Sequence, residues 1–179
     1  MQKLAQVDDT WTLFLDRDGV INERVFGGYV LKYSDFHFKE GVLSNVQNLF
    51  ARFARVIIVT NQQCVAKGIL TKEELDVIHD SMQQDLLSAG APVSAVYAAL
   101  ERKGEEPYMR KPQVTMAEMA KREFPEIDFS KSIMVGDTDG DIQFGKNLGM
   151  KTVLIRSEEI IQEKADMVLG SLAELIDVI

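Results

Sequence analysis

The segment Trp11-Thr-Leu-Phe-Leu-Asp16-Arg-Asp18-Gly-Val-Ile-Asn22 joins a short apolar run to two acidic residues. The run Trp11–Leu15 is continuously apolar apart from one threonine, as expected for a parallel strand covered on both faces. Side chains alternate along a strand with a period of two, so the carboxylates of Asp16 and Asp18 point the same way at its tip. The segment therefore predicts an internal strand that delivers two carboxylates to one edge of a parallel sheet.

Apolar runs alternate with longer amphipathic stretches along the rest of the chain. The further predicted strands are Val56–Thr60, Ala95–Ala99, Ile133–Val135 and Thr152–Ile155. The predicted helices are Gly41–Phe53, Thr71–Ala89, Gln113–Phe124, Asp141–Leu148 and a last short helix starting at Ser171. This alternation predicts an α/β fold, a doubly wound parallel sheet with helices on both faces.

The chain length sets the domain organisation. A chain of 179 residues, 46% hydrophobic and 27% charged, suits one globular domain, and we assign residues 1–179 to it. The interval between the first strand and its helix and the interval between the third strand and Arg110 are both short. We therefore expect no separate cap domain, so that loops alone shape the site.

Composition excludes several classes of protein and partner. The net charge of -8, from 20 Lys+Arg against 28 Asp+Glu, argues against a polynucleotide partner. The single cysteine, Cys64, excludes an intrachain disulfide and a cysteine-rich metal site, and ordinary packing is its favoured role. Asp8 and Asp9 lie where a signal peptide needs apolar residues, and no apolar run reaches transmembrane length. We expect a monomeric cytoplasmic protein without a membrane partner.

Polar residues follow the predicted strands, where an open α/β sheet binds its ligands. Two acids end the first strand, and the other positions are Thr60, Lys111 and the acidic pair Asp137 and Asp141. Such close carboxylates repel one another unless a cation lies between them, and oxygen ligands select a hard ion such as Mg²⁺. The pattern therefore predicts a Mg²⁺ site at the carboxyl edge of the sheet.

Carboxylates, Mg²⁺ and a lysine at this edge are typical of phosphoryl transfer. Asp16 would attack the phosphorus in line to give an aspartyl phosphate, and Asp18 would protonate the leaving oxygen and then accept a proton from water. Thr60 and Lys111 would hold the transferring oxygens. The sequence thus predicts a Mg²⁺-dependent phosphatase acting on a small phosphate ester.

Four motifs together resemble those of the haloacid dehalogenase superfamily, and more narrowly its histidinol-phosphatase and heptose 1,7-bisphosphate phosphatase branch. They are Asp16-Arg-Asp-Gly-Val-Ile-Asn22, Thr60-Asn-Gln62, Arg110-Lys-Pro112 and Gly136-Asp137-x-x-x-Asp141. The resemblance runs from about Leu13 to Ile155 and includes Gly28-Tyr29 and the stretch Thr60–Gly68. It implies a Rossmann-like haloacid dehalogenase fold.

The resemblance also implies roles for individual residues. Asp16 and Asp137 would be carboxylate ligands of Mg²⁺, and Asp18 would add its main-chain carbonyl. Asp141 would bind a metal-bound water or only orient Lys111. The residues implied to contact substrate are Asn61, Gln62, Gln63 and Arg110.

Three departures from the branch leave the substrate open. Leu100–Met109 contains neither Cys nor His where the branch typically carries a zinc loop, so we expect no zinc. Cys64 stands in place of a usual glycine, and Thr138 stands where a lysine is frequent.

The leading candidate substrate is a heptose 1,7-bisphosphate, followed by another sugar phosphate or histidinol phosphate. A polynucleotide 3′-phosphatase and a non-catalytic phosphate-binding domain are the alternatives of another kind. His37 and His79 are expected at the surface or its boundary rather than as metal ligands.

Overall fold

Six parallel strands form one sheet in the computed structural model, which describes residues 3–179. The strands are β1 (Thr12–Leu15), β2 (Arg55–Asn61), β3 (Ala95–Ala99), β4 (Ser132–Gly136), β5 (Lys151–Ile155) and β6 (Met167–Leu169). Their order across the sheet is β3-β2-β1-β4-β5-β6, and every neighbouring pair is parallel. The predicted α/β class with a parallel sheet is confirmed.

Four α-helices connect these strands. They are α1 (Val42–Phe50), α2 (Lys72–Ser88), α3 (Thr115–Glu123) and α4 (Asp139–Asn147). Three short 3₁₀ helices lie at Tyr33–Asp35, Phe129–Lys131 and Leu172–Asp177. The predicted last helix is therefore a 3₁₀ segment; its Ser171 side chain makes no capping bond to the backbone. A capping box forms at the start of α2, since Thr71 and Glu74 bond to each other's main-chain N–H.

Both faces of the sheet are buried, which explains the continuous apolar character of the central strands. Leu13 and Leu15 pack on one face with the apolar sides of α1 and α2 and with Leu172–Asp177. Phe14, between them in sequence, packs on the other face with α3 and with Phe144 of α4. All three strand residues are fully buried. The alternation along β1 thus sorts side chains between two helical layers.

The strand order reverses at β1, which pairs with β2 on one side and β4 on the other. Leu15 lies opposite Ile58 and Val135, and the Asp16 N–H then donates to the Val135 carbonyl at 2.9 Å. The chain leaves the sheet there, at the crevice where open α/β sheets bind ligands. This topology brings the ends of β1, β2 and β4 together.

Loops lie over this edge of the sheet. Residues 16–41, between β1 and α1, contain one 3₁₀ turn, and residues 100–114, between β3 and α3, contain no regular element. Within residues 3–179 these two intervals therefore hold no separate cap domain. The helices of this same region are all too short or too polar to cross a membrane.

Candidate active site

Three buried carboxylates meet at the carboxyl edge of the sheet. Asp16 follows β1, Asp137 follows β4, and Asp141 lies in the first turn of α4. One oxygen from each lies within 4.8 Å of the others. Asp141 is also held in place through its oxygen Oδ2. This atom accepts hydrogen bonds from the main-chain N–H groups of Asp137 and Thr138 at 3.2 and 3.0 Å. Residues up to 125 positions apart in sequence thus form one compact acidic group around Asp16.

Lys111 provides the positive charge inside this group. Its Nζ donates to Asp16 Oδ1 at 2.8 Å and to the Val59 carbonyl at 2.7 Å, and it pairs with Asp141 Oδ1 at 2.5 Å. Burial alone would lower the pKa of Lys111, but the charges of Asp141 and Asp16 outweigh it and raise that pKa. The lysine therefore stays protonated, and Asp141 is placed to orient it, one of the two roles expected for this acid.

One lysine does not neutralise three carboxylates. Burial contributes most to raising the pKa of Asp16, the charge of Lys111 opposes it and the neighbouring acids add to it, so that this pKa reaches about 7. Burial likewise raises the pKa of Asp137 to about 6, against the lowering effect of Arg24. Asp137 Oδ1 is moreover buried and has no hydrogen-bond partner among residues 3–179. An unpartnered carboxylate oxygen among repelling acids is the environment that a hard divalent cation suits.

Asp18 has different surroundings from the three clustered acids. Its carboxylate accepts two bonds from Arg17 Nη2 at 2.9 Å, one from Asn22 Nδ2 at 2.9 Å and one from Gln62 Nε2 at 2.8 Å. Burial would raise the pKa of Asp18, but the Arg17 guanidinium and these hydrogen bonds outweigh it and lower that pKa. The side chain is thus an ionised, well-held carboxylate beside the acidic group rather than a member of it.

The end of β2 and the residue that follows it support the site. Thr60 is fully buried, and its Oγ1 accepts a bond from Gln62 Nε2 at 2.8 Å. Gln62 is only 2% exposed, with its amide used by Thr60 and Asp18. Gln62 nevertheless lines one of the cavities described below, and its contact with substrate implied by the resemblance stays a prediction. Asn61 Oδ1 accepts the Lys111 N–H at 2.9 Å.

Two adjoining cavities open above these residues. The first, which we call the reaction cavity, has a volume of about 500 Å³, and Asp16, Thr60 and Lys111 are among its lining residues. The second, the distal cavity, has a volume of about 350 Å³ and lies against the loop after β1. Four residues line both cavities: Asp18, Arg24, Asn61 and Arg110. A ligand can therefore extend from the acidic group into the distal cavity.

The distal cavity is rich in positive charge. Arg24, Lys67 and Arg110 all line it, and Arg110 Nη1 is buried with no hydrogen-bond partner in the described part of the chain. Lys67 Nζ donates to the Tyr29 hydroxyl at 2.8 Å, and Gln63 Nε2 donates to the same hydroxyl at 3.2 Å. All four residues implied to contact substrate, Asn61, Gln62, Gln63 and Arg110, line this cavity. Its charge favours an anionic group.

Several residues of the site carry no signal in the local sequence. Arg24 Nη1 donates to Asp137 Oδ2 at 2.8 Å, across a separation of 113 residues. Glu101 is 7% exposed, and its Oε1 accepts the Arg110 N–H at 2.5 Å. The expectation that His79 lies at the surface or its boundary is wrong: it is 6% exposed, and its Nε2 lies 3.0 Å from Arg17 Nη1. The apolar face of α2 turns it inward, a position that its place beside Ile78 could have suggested.

The expectations for Cys64 and His37 agree with the structure. Cys64 is fully buried in the core, and His37 is exposed. Asp16, Asp18, Thr60, Lys111 and Asp137 all lie at the one edge of the sheet, together with Asn61, Gln63 and Arg110. Carboxylates grouped around a buried lysine at the carboxyl edge of a parallel sheet are the arrangement that phosphoryl transfer requires.

Known proteins are similar to this chain in sequence and in fold. Residues 108–175 match the HAD-hydrolase-like family model. D-glycero-alpha-D-manno-heptose-1,7-bisphosphate 7-phosphatase of Campylobacter jejuni is 34% identical over 150 residues, which cover 84% of each chain. The beta-anomer enzyme of Haemophilus ducreyi is 32% identical over 176 residues, covering 92% of this chain and 95% of the relative.

A solved structure agrees with these relatives. The D,D-heptose 1,7-bisphosphate phosphatase of B. bronchiseptica, complexed with magnesium and phosphate, superposes with a TM-score of 0.83 at 25% identity. The match covers 93% of this chain and 96% of that one. The protein therefore belongs to the haloacid dehalogenase-like phosphatases, among which are the heptose 1,7-bisphosphate 7-phosphatases. The resemblance inferred from the four motifs is confirmed.

Proposed function

We propose that this protein is a Mg²⁺-dependent phosphatase that removes the 7-phosphate of D-glycero-D-manno-heptose 1,7-bisphosphate. The observation that carries the proposal is the continuity of two cavities of different chemistry. The reaction cavity holds the nucleophile and its lysine, and the distal cavity offers three cationic side chains to a second anion. The names of the relatives support the same substrate, and both the alpha and the beta anomer occur among them.

The covalent step is assigned to Asp16. Its carboxylate attacks the phosphorus, the bond from phosphorus to the ester oxygen breaks, and the phosphoryl group stays on Asp16 as an acyl phosphate. Lys111 holds the attacking carboxylate and, with the Thr60 hydroxyl, stabilises the charge of the transferring group. Water then attacks this phosphorus, releasing inorganic phosphate and regenerating Asp16. The positioning of Lys111 by Asp141 keeps its charge at the place where the phosphoryl charge develops.

Asp18 handles the proton in both steps. With its pKa lowered by Arg17 and its other partners, Asp18 is held in the basic form that takes a proton from the hydrolytic water. In the covalent step that precedes this, Asp18 in its protonated form gives its proton to the leaving sugar oxygen. Asn22 and Gln62 also donate hydrogen bonds to the Asp18 carboxylate. Together with Arg17, three side chains therefore hold this carboxylate in place.

Mg²⁺ fits the acidic group, where Asp16, Asp137 and the main-chain carbonyl of Asp18 are the proposed ligands. Bound there, the cation would neutralise the phosphate dianion and so permit a carboxylate to approach it. Arg24 shares Asp137 through Oδ2, and the unpartnered Oδ1 of the same carboxylate is the atom that best suits a metal. This donor set contains oxygen atoms alone, which favours Mg²⁺ over softer ions.

The distal cavity favours a substrate that carries a second phosphate. A sugar monophosphate bound through Asp16 would leave the Arg110 guanidinium, with its buried unpartnered Nη1, facing neutral hydroxyl groups. A second phosphate satisfies this group with charge-assisted hydrogen bonds, and Lys67 and Arg24 lie along the same cavity. The distal cations also disfavour histidinol phosphate, whose amino group is positive.

Initial-rate measurements with Mg²⁺ over a defined substrate set test the proposal. The set contains both anomers of the heptose bisphosphate, a heptose monophosphate, histidinol phosphate and an oligonucleotide bearing a 3′-phosphate. We expect the highest kcat/KM for one of the bisphosphate anomers, and phosphorus NMR of the product should retain the signal of the 1-phosphate. A higher kcat/KM for histidinol phosphate or for the oligonucleotide would refute the substrate assignment, and absence of turnover throughout would favour a phosphate-binding domain without catalysis.

A further inference from the structure

Glu101 is an isolated buried acid in a loop that is otherwise exposed. The four residues after it, Arg102–Glu105, are all exposed, whereas Glu101 is 7% exposed. A carboxylate that is withdrawn from water needs a hydrogen-bond partner. Its partner is the Arg110 N–H, nine residues further on, at 2.5 Å from Oε1. This bond closes the loop that leaves β3 and returns to the site.

The loop ends on two consecutive residues that serve different cavities. Lys111 reaches Asp16 in the reaction cavity, while Arg110 lines the distal cavity as well. Each residue has its main-chain N–H held by a separate side-chain acceptor. Asn61 Oδ1 holds Lys111 at 2.9 Å, and Glu101 Oε1 holds Arg110. The backbone of each cation is therefore fixed by its own bond.

We infer that Glu101 is a positioning residue for Arg110, and that it sets the affinity for the distal phosphate while Asn61 and Lys111 serve the chemical step. The inference rests on the proposed bisphosphate substrate. The loop Leu100–Met109 contains neither Cys nor His, so a carboxylate and a main-chain amide perform the closure that a metal could otherwise provide. Without Glu101 the Arg110 N–H loses its acceptor. The Arg110 backbone, from which the guanidinium extends, is then no longer held in place.

The consequence is a separation between KM and kcat. An interaction with the distal phosphate, which does not react, is equally strong in the ground state and the transition state, so its loss raises KM and leaves kcat nearly unchanged. Lys111 keeps its own acceptor, Asn61, in a Glu101 variant. A heptose monophosphate that lacks the distal phosphate should therefore be insensitive to Glu101.

Three variants test this role on the magnesium-loaded enzyme. Glu101→Ala removes the acceptor, Glu101→Gln keeps an oxygen that can accept the Arg110 N–H, and Glu105→Ala removes an exposed charge from the same loop. For Glu101→Ala we expect KM for the bisphosphate to rise about tenfold, the equivalent of one good hydrogen bond, with kcat within about twofold. Glu101→Gln should recover most of the affinity, and Glu105→Ala should match the wild type. Equal losses on the bisphosphate and the monophosphate would overturn the inference.

A double-mutant cycle with Arg110 locates the effect. In an Arg110→Ala background there is no guanidinium to position, so Glu101→Ala should raise KM no further. Full additivity of the two substitutions would mean that Glu101 acts by another route. Circular dichroism and the denaturation midpoint of each variant verify that it is folded.

Amide hydrogen exchange gives a measurement that does not depend on the substrate. The Arg110 N–H should be protected in the wild type and in Glu101→Gln and should exchange at least about tenfold faster in Glu101→Ala, because its hydrogen bond is lost. Unchanged protection of this amide in Glu101→Ala would refute the hydrogen bond between Glu101 and the Arg110 N–H. If the wild type fails to hydrolyse the bisphosphate while the exchange result holds, the proposed substrate is wrong and the positioning of Arg110 stands.

Discussion

Replacing His79 by Gln should make the folded protein less sensitive to acid. His79 lies on α2, and because arginine can only donate, its Nε2 must accept the bond from Arg17 Nη1. The imidazole is therefore neutral, with its proton on Nδ1. Burial, together with the charge of Arg17, lowers the pKa of His79 to about 3 from an ordinary value of 6.5.

The sign and size of the effect follow from these two values. Between pH 6.5 and about 3 the unfolded chain binds a proton at this residue and the folded protein does not, so stability falls as the pH falls. At about pH 5 the linkage relation gives a loss of about 2 kcal/mol relative to about pH 8. Asp16 and Asp137 act in the opposite direction, because burial raises their pKa values and their protonation favours the fold.

Urea denaturation of the wild type and of His79→Gln, each in chelator at about pH 8 and about pH 5, measures the difference. The glutamine side-chain oxygen can accept the Arg17 N–H but does not titrate. Since both proteins keep Asp16 and Asp137, subtracting their pH dependences isolates residue 79. We expect the wild type to lose about 2 kcal/mol more than the variant on acidification. Parallel losses in the two proteins would refute the assignment of a buried neutral histidine.

Further predictions concern the reaction and the metal. Asp16→Asn should abolish turnover, measured as phosphate release, with its circular dichroism unchanged; near-normal activity would exclude the aspartyl phosphate. Asp18→Asn should slow turnover on the order of 10²- to 10⁴-fold through lost acid and base catalysis, visible in single-turnover kinetics, and a smaller effect would remove its assigned role. Chelation should abolish activity, Mg²⁺ should restore it and Ca²⁺ should inhibit because it prefers more ligands and looser geometry; an active metal-free preparation would contradict this. Elemental analysis of the purified protein should find no stoichiometric zinc, whereas one zinc per chain would show that the loop Leu100–Met109 is closed differently.

The central part of the fold was predictable because local chemistry determines it. A strand covered on both faces must be apolar at nearly every position, and five of the six strands were predicted from this pattern. The sixth, β6 (Met167–Leu169), is also apolar, but it has only three residues, and Val168 is 44% exposed. It is a strand because β5 offers it a hydrogen-bonding edge, which is a property of the assembled sheet.

The reacting groups were predictable for a related reason. Parallel strands end at the same edge of their sheet, so acids placed directly after β1 and β4 must approach each other wherever the loops run. Asp16, Asp18 and Asp137 follow this rule, and so does Thr60 at the end of β2. Lys111 lies further from its strand, and the resemblance of Arg110-Lys-Pro112 to a known motif supported its assignment.

The sequence by itself determined the parallel sheet, the acids at its carboxyl edge and the class of reaction. Only the tertiary structure decided which side chains support those acids. Arg24 reaches Asp137 across 113 residues and His79 reaches Arg17 across 62, and both pairings depend on how loops and helices pack. Glu101 likewise has no motif of its own until the loop folds back and places the Arg110 N–H beside it. Strand ends are located by short-range periodicity and burial, whereas these contacts arise only once distant segments have been brought together by the core.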